Sequence, residues 1–260
     1  MNEIKQNSPY AWFLAARPKT LTGAIIPVLL GSALAFSDGQ FKTAPALLCA
    51  LFACGMQIAA NFINDLFDCL KGADRADRLG PERACAQGWI TVPAMRAGIG
   101  FALVLAGIAG LVLLWMTQTW HLLLLGAACI LFAFLYTTLL SYCGLGDVLV
   151  WVFFGFVPVL GTYYVMAGTL APEAWLISGS CAFLIDTLLV LNNYRDRDQD
   201  RVSGKRTLIV VLGERFGRYF YLWQGFLAYL CAAMLAFYGY LWVAILPMFY
   251  LLPHYLTWRK

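Results

Sequence analysis

Charge is scarce in this chain. Asp, Glu, Lys and Arg supply 12% of its 260 residues, against 62% hydrophobic ones. Soluble domains carry about 25% charged residues, so the balance excludes an ordinary soluble domain and indicates a membrane protein. Histidine is nearly absent: His121 and His254 stand far apart with no His-x-x-His, which argues against a zinc site. The eight cysteines (Cys49, Cys54, Cys69, Cys85, Cys129, Cys143, Cys181 and Cys231) contain no Cys-x-x-Cys pair and read as small apolar residues in helices. No soluble domain or low-complexity linker is visible, so 1–260 reads as one integral-membrane domain. The N-terminus is polar up to about Ala15 and has no compact signal-peptide pattern, so the first apolar segment reads as a retained membrane helix. A net charge of +4 would imply nucleic acid only as a patch on a soluble domain, so no nucleic-acid partner is expected.

What the chain has in abundance is long apolar runs. A spanning helix needs about 20 mostly apolar residues. Eight runs qualify: 20–36, 44–66, 94–116, 121–140, 148–168, 174–194, 217–238 and 241–257. Pro27 falls in the first and predicts a kink or tilt there. The fold class is all-α, a polytopic transmembrane helical bundle in the lipid bilayer. With the N-terminus in the cytoplasm, Lys42 is the only one of the 18 basic residues on the outer side. The positive-inside rule then puts both termini in the cytoplasm, and the expected location is the cell's inner (cytoplasmic) membrane. The outer connections are short, and the loops after the second and sixth spans are long and charged, so function is expected on the cytoplasmic side.

Two acidic clusters end those spans. The first is Asn61, Asn64, Asp65 and Asp68, followed by Lys71, Asp74, Arg78 and Arg83. Its amides and carboxylates share one broad helical face. The second is Asn192, Asn193, Arg195, Asp196, Asp198 and Asp200, followed by Lys205 and Arg206. Both spans run outside to inside, so both clusters are expected at one cytoplasmic mouth. Magnesium takes one or two carboxylates and completes its shell with water and phosphate oxygens. Asp65, Asp68, Asp196 and Asp200 are the expected metal ligands, with the neighbouring basic residues on a diphosphate leaving group. The competing account is a pair of solvated charged loops held by local salt bridges.

These residues resemble the UbiA-type intramembrane prenyltransferases, and most closely their 1,4-dihydroxy-2-naphthoate polyprenyltransferase branch of menaquinone biosynthesis. The likeness runs from Arg17 to about Gly213. It includes Arg17-Pro18-Lys19-Thr20-Leu21, Asn64-Asp65-x-x-Asp68 with Lys71-Gly72 and Asp74, Asp77-Arg78, Gly80-Pro81 and Arg83. It continues through Tyr136-Thr137, Gly144-Leu145-Gly146-Asp147, Phe153-Phe154-Gly155, Asn192-Asn193, Arg195-Asp196, Asp200-Arg201, Gly204-Lys205 and Leu212-Gly213. The resemblance implies a helical bundle around a central apolar cavity open to the cytoplasm, a polyprenyl diphosphate donor and Mg2+. In the closest branch the chain replaces the carboxylate of an aromatic acceptor, with loss of carbon dioxide, to give a demethylmenaquinol. The family has nine spans where eight are read here, which leaves a more open bundle or a truncated chain as alternatives.

Several roles stay open on the sequence. An apolar cavity protects an allylic cation from water, and Tyr136, Phe153 and Phe154 can stabilise it or simply pack against lipid. Arg17 and Lys19 can hold the acceptor carboxylate or act as ordinary positive-inside anchors. Asp147 opens the fifth span and can cap that helix start, the favoured reading, or orient a basic residue. Asp186 lies in the middle of the sixth span, on the face of Asn193 and Asp200, and an intramembrane carboxylate is costly. It is expected to be protonated, to meet a polar group of the acceptor, or to bond a neighbouring helix. The alternatives to this activity are prenylation of 4-hydroxybenzoate or homogentisate, and a membrane transporter. A CDP-alcohol phosphotransferase would need an Asp-Gly-x-x-Ala-Arg run, which the chain does not contain.

Overall fold

The computed structural model describes residues 4–70 and 82–259 and is helical throughout, with no strand among the described residues. A short helix α1 (Pro9–Ala16) precedes α2 (Pro18–Ser37). Then come α3 (Thr43–Leu70), α4 (Val92–Thr117), α5 (His121–Thr138) and α6 (Gly146–Ala167). The chain continues through α7 (Pro172–Val202), α8 (Leu208–Leu212), α9 (Glu214–Tyr238) and α10 (Leu241–Arg259). Eight of these are long and apolar enough to cross a membrane, and they match the eight apolar runs within a few residues, except at the end of the sixth. Helix α2 continues through Pro27, whose side chain is fully buried.

The starts and stops follow local chemistry. Ser8 caps α1 by accepting from the Ala11 N–H, with Pro9 behind it. Arg17 adopts a left-handed conformation (φ 50°) that ends α1, and Pro18 opens α2. Thr91 caps α4. Helix α7 runs to Val202, past the end at 194 expected from hydropathy, so the whole second acidic cluster is helical. It stops at Ser203 and Gly204 (φ 77°).

The helices group into two compact units. The first holds the residues up to Ile25 together with Leu47–Leu140. Its core gathers Ala11 and Ala15 of α1, Phe62, Ile63 and Leu66 of α3, Ala84, Cys85 and Ile90 of the following loop, and Met95 and Ile99 of α4. Trp12 meets Phe62 edge-on at 5.3 Å. A Cβ on Gly98 would lie 2.5 Å from the Trp12 ring, so only glycine admits α4 this close. The N-terminal segment is tied to the same loop: Asn7 N–H donates to Trp89 O at 2.7 Å, and Asn7 Oδ1 accepts from Thr91 N–H at 3.1 Å.

The second unit holds Ile26–Ala46 and the chain from Ser141 onward. Its centre is α7, packed on α6 and α9. Helix α6 loosens to a π-helical stretch at Trp151–Phe156. There Gly155 sits against α7 so closely that a Cβ would lie 2.3 Å from that of Ala182. Lys42, the one basic residue expected outside, donates from Nζ to Met166 O at 2.8 Å, at the carbonyl end of α6. Asp38 accepts from the Tyr163 hydroxyl at 2.6 Å beside it. Both contacts tie the α2–α3 connection to α6.

Candidate active site

The first acidic cluster occupies the last turns of α3, within the first unit. Asn61 is 5% exposed and fully engaged. Its amide donates to Ala16 O and to Thr20 Oγ1, both at 2.9 Å, and its oxygen accepts from Gln57 at 3.2 Å. These bonds give Asn61 a structural duty beside the substrate contact expected of it. It brackets the α1–α2 turn that carries Arg17 and Lys19 against α3. Asn64 is half-buried on the same helix, and Lys19 is exposed.

Asp65 and Asp68, one turn apart, have different surroundings. Asp65 is 1% exposed, and its two oxygens accept the backbone N–H groups of Ala84 (2.9 Å) and Cys85 (3.0 Å). The sequence expectation for Asp65 is a metal ligand. Asp68 pairs with Arg83 at 2.7 Å, the Asp68 side chain being 17% exposed. Lys71, Asp74 and Arg78 lie outside the described residues.

The second cluster lies on the last turns of α7, within the second unit. Arg195 meets Asp196 through two bonds, Nε to Oδ1 at 2.6 Å and a terminal nitrogen to Oδ2 at 2.7 Å. Arg197 bonds Glu214 at 2.6 Å, its guanidinium 4.7 Å from the centre of the Tyr194 ring. The Ser203–Gly204 turn brings Lys205 back so that its Nζ lies 3.6 Å from Asp200 Oδ1. Asn193 and Asp200 are buried, and Asp196 is partly open. Asp198 and Arg201 form only a loose, exposed pair at 3.8 Å.

Two buried acids have partners that the fold defines. Leu145, not Asp147, occupies the cap position of α6; Asp147 sits in the first turn at 3% exposure. Asp186 is fully buried and bonds two neighbouring helices. Its Oδ2 accepts from Trp151 Nε1 at 2.9 Å and from the amide of Gln224. It pins α7 to α6 and α9, where the sequence allowed a contact to the acceptor. Gln224 escaped notice in the sequence, although an amide inside an apolar span is the partner an intramembrane acid needs. Of the aromatic candidates, Tyr136 lies on α5, and Phe153 and Phe154 lie in the π-helical stretch; all three are half-buried.

The donor chemistry of the clusters fits a hard divalent cation, since carboxylate oxygens dominate. Among the described residues no three His, Cys, Asp or Glu side chains gather as a ready-made metal cage. Magnesium usually takes one or two carboxylates and completes its shell from phosphate and water.

Known proteins resemble this chain along most of its length. Residues 24–260 match the UbiA prenyltransferase family. The 1,4-dihydroxy-2-naphthoate octaprenyltransferase of Escherichia coli (strain K12) is 38% identical over 222 residues, covering 82% of this chain and 72% of that protein. The protein of the same name from Haemophilus influenzae is 32% identical over 253 residues, covering 91% and 82%. The one from Mycobacterium tuberculosis is 37% identical over 220 residues, covering 84% and 74%. A solved structure of digeranylgeranylglyceryl phosphate synthase has the same fold, with a TM-score of 0.68 at 17% identity over 96% of this chain and 88% of that one. With eight apolar helices and a family match along nearly its whole length, the chain is a multi-pass membrane enzyme that belongs to the UbiA prenyltransferase family.

Proposed function

We propose that this prenyltransferase, acting as one domain, moves a polyprenyl chain from polyprenyl diphosphate to 1,4-dihydroxy-2-naphthoate. The observation that carries the acceptor is the shared name of three bacterial relatives at 32–38% identity, each matched over most of both chains. The allylic carbon–oxygen bond of the donor breaks and diphosphate leaves with the electron pair. The ring carbon that bears the carboxylate forms the new carbon–carbon bond. The carboxylate then departs as carbon dioxide and returns its bonding electrons to the ring, so no ring proton has to be removed. The products are demethylmenaquinol, carbon dioxide and diphosphate.

The acids of each motif would hold magnesium, Asp68 foremost in the first and Asp196 and Asp200 in the second. When bound, magnesium neutralises the diphosphate oxygens and eases their departure. Arg83, Arg195 and Lys205 stand beside those acids and share that duty toward the leaving group. Arg17 and Lys19, on the turn that Asn61 brackets, receive the acceptor carboxylate. The aromatic faces of Tyr136, Phe153 and Phe154 shield the developing allylic cation from water.

The test is purified protein in liposomes with magnesium, 1,4-dihydroxy-2-naphthoate and a polyprenyl diphosphate. Mass spectrometry should find the decarboxylated prenylated ring, and chelation should abolish it. Product with 4-hydroxybenzoate alone would overturn the acceptor; no product with any aromatic acceptor would overturn the reading.

Both termini and both acidic clusters are proposed to face the cytoplasm. Cys143, the one exposed cysteine, reports on this, because the 139–145 connection falls on the same side in that topology. A membrane-impermeant maleimide should label Cys143 in inverted vesicles and leave it unlabelled in right-side-out ones. The reverse pattern would invert the topology.

A further inference from the structure

Asp65 and Asp68 look alike in the sequence, yet the fold treats them differently. As whole residues Asp65 is 1% and Asp200 8% exposed, whereas the side chains of Asp68 and Asp196 keep 17% and 24% of their exposure. A magnesium ligand must present an oxygen to an ion that also holds water and phosphate. Asp65 has no such opening. Its Oδ2 accepts the Ala84 N–H and its Oδ1 the Cys85 N–H, at 2.9 and 3.0 Å.

The accepting geometry explains why a carboxylate is there. Residues 83–89 form a helical turn, closed by Gln87 N–H to Arg83 O, Trp89 N–H to Ala84 O and the left-handed Gly88 (φ 70°). The first N–H groups of such a turn have no partner within it. Here they are buried with the Ala84 and Cys85 side chains in the core of the first unit, beside Ile63 and Leu66 of α3. A buried carboxylate that accepts both N–H groups satisfies them with charge-assisted bonds. The residue before this pair is Arg83, whose guanidinium reaches Asp68 at 2.7 Å. The backbone held by Asp65 is thus the backbone that aims Arg83.

We infer that Asp65 is a positioning residue and not a metal ligand: it clasps the 83–89 turn to α3 and so sets the Arg83 guanidinium on Asp68. The inference rests on the proposed magnesium–diphosphate chemistry only in saying what the pair serves; the clasp itself is independent of it.

Three readouts test it on the full-length protein in detergent. First, hydrogen exchange of the peptide spanning Ala84 and Cys85 should speed up at least about tenfold in Asp65→Ala, because two buried amides lose their acceptor. Asp68→Ala should change it far less. Second, Mn2+ binding in the presence of inorganic diphosphate, read by electron paramagnetic resonance, should keep its midpoint within about twofold in Asp65→Ala. In Asp68→Ala it should weaken by about tenfold or more. Third, in the prenyl-transfer assay, adding Asp65→Ala to Arg83→Ala should cost little beyond Arg83→Ala alone, since one residue acts through the other.

The milder Asp65→Asn keeps one acceptor oxygen and should fall between wild type and alanine in exchange, so the test survives if alanine does not fold. Unchanged exchange in both Asp65 variants, or loss of Mn2+ binding equal to that of Asp68→Ala, would overturn the inference. If the wild type transfers no prenyl chain, the proposed function fails, while the exchange and Mn2+ readouts still decide the role of Asp65.

Discussion

Asp196→Ala is expected to lower prenyl transfer by about 10²–10³-fold while leaving the melting temperature within a degree or so of wild type. The two halves of this expectation come from different physics. Asp196 is 24% exposed and its partner Arg195 is 42% exposed. A pair this open contributes about 0–1 kcal/mol to folding, because water screens it. Under the proposed chemistry Asp196 acts on the departing diphosphate through the magnesium it would hold, and loss of one such preorganised electrostatic contact costs about 3–4 kcal/mol of transition-state stabilisation. Asp198→Ala is the internal control. Asp198 lies two residues away on the same helix, 73% exposed, and its pair with Arg201 is loose at 3.8 Å. Its loss should change turnover less than about twofold. The contrast matters because a cluster of acids at a membrane surface is also what a solvated loop looks like. If Asp196→Ala and Asp198→Ala behave alike in steady-state kinetics, the solvated-loop account is correct and the catalytic one is not.

The spans were legible because the bilayer demands them. About 20 apolar residues in a row have few other uses, so hydropathy alone placed eight helices. Their polar ends were less legible. Helix α7 runs to Val202 through a segment with almost no apolar residue left to count, stopping only at Ser203 and Gly204. Helix α1 is apolar along Pro9–Ala16 but only eight residues long, too short to register as a span, and it buries Ala11 and Ala15. Its Ser8-Pro9 start is a capping signal that hydropathy does not weigh.

Spacing named the candidate residues but not what each of them bonds. Asn61, Asp65 and Asp68 share one helical face, and spacing cannot say which of them turns inward. That choice depends on what packs opposite: the Ala16 carbonyl and Thr20 claim Asn61, and two buried N–H groups claim Asp65. Both sets of partners arrive from other segments of the chain. Lys42 is a similar case. As a lone basic residue on the outer side it was an exception to a counting rule, and the structure gives it a carbonyl at the end of α6.

Asp186→Ala is expected to destabilise the protein by about 3–5 kcal/mol, a loss large enough to read in thermal unfolding in detergent. The residue is fully buried, as is Gln224, and its Oδ2 is the acceptor for both Trp151 Nε1 and the Gln224 amide. Alanine leaves both donors buried with nothing to bond, at about 1–3 kcal/mol for each group, and opens a small cavity besides. Asp186→Asn should cost about 1 kcal/mol or less. Its oxygen can accept from Trp151, and its amide can donate to Gln224 Oε1, which has no partner among the described residues. Removing both ends together should recover much of the loss, because two apolar groups in place of a bonded pair leave less unsatisfied than one orphan. Asp186→Leu with Gln224→Leu should therefore melt above Asp186→Ala. This series separates the two accounts of an acid in the middle of a span. A pin between α6, α7 and α9 affects stability first and shows the same order, Asn above the double leucine above Ala, with or without substrate. A contact to the acceptor would instead raise KM for the aromatic ring in Asp186→Asn while leaving its melting curve unmoved, and that result would return Asp186 to the substrate site.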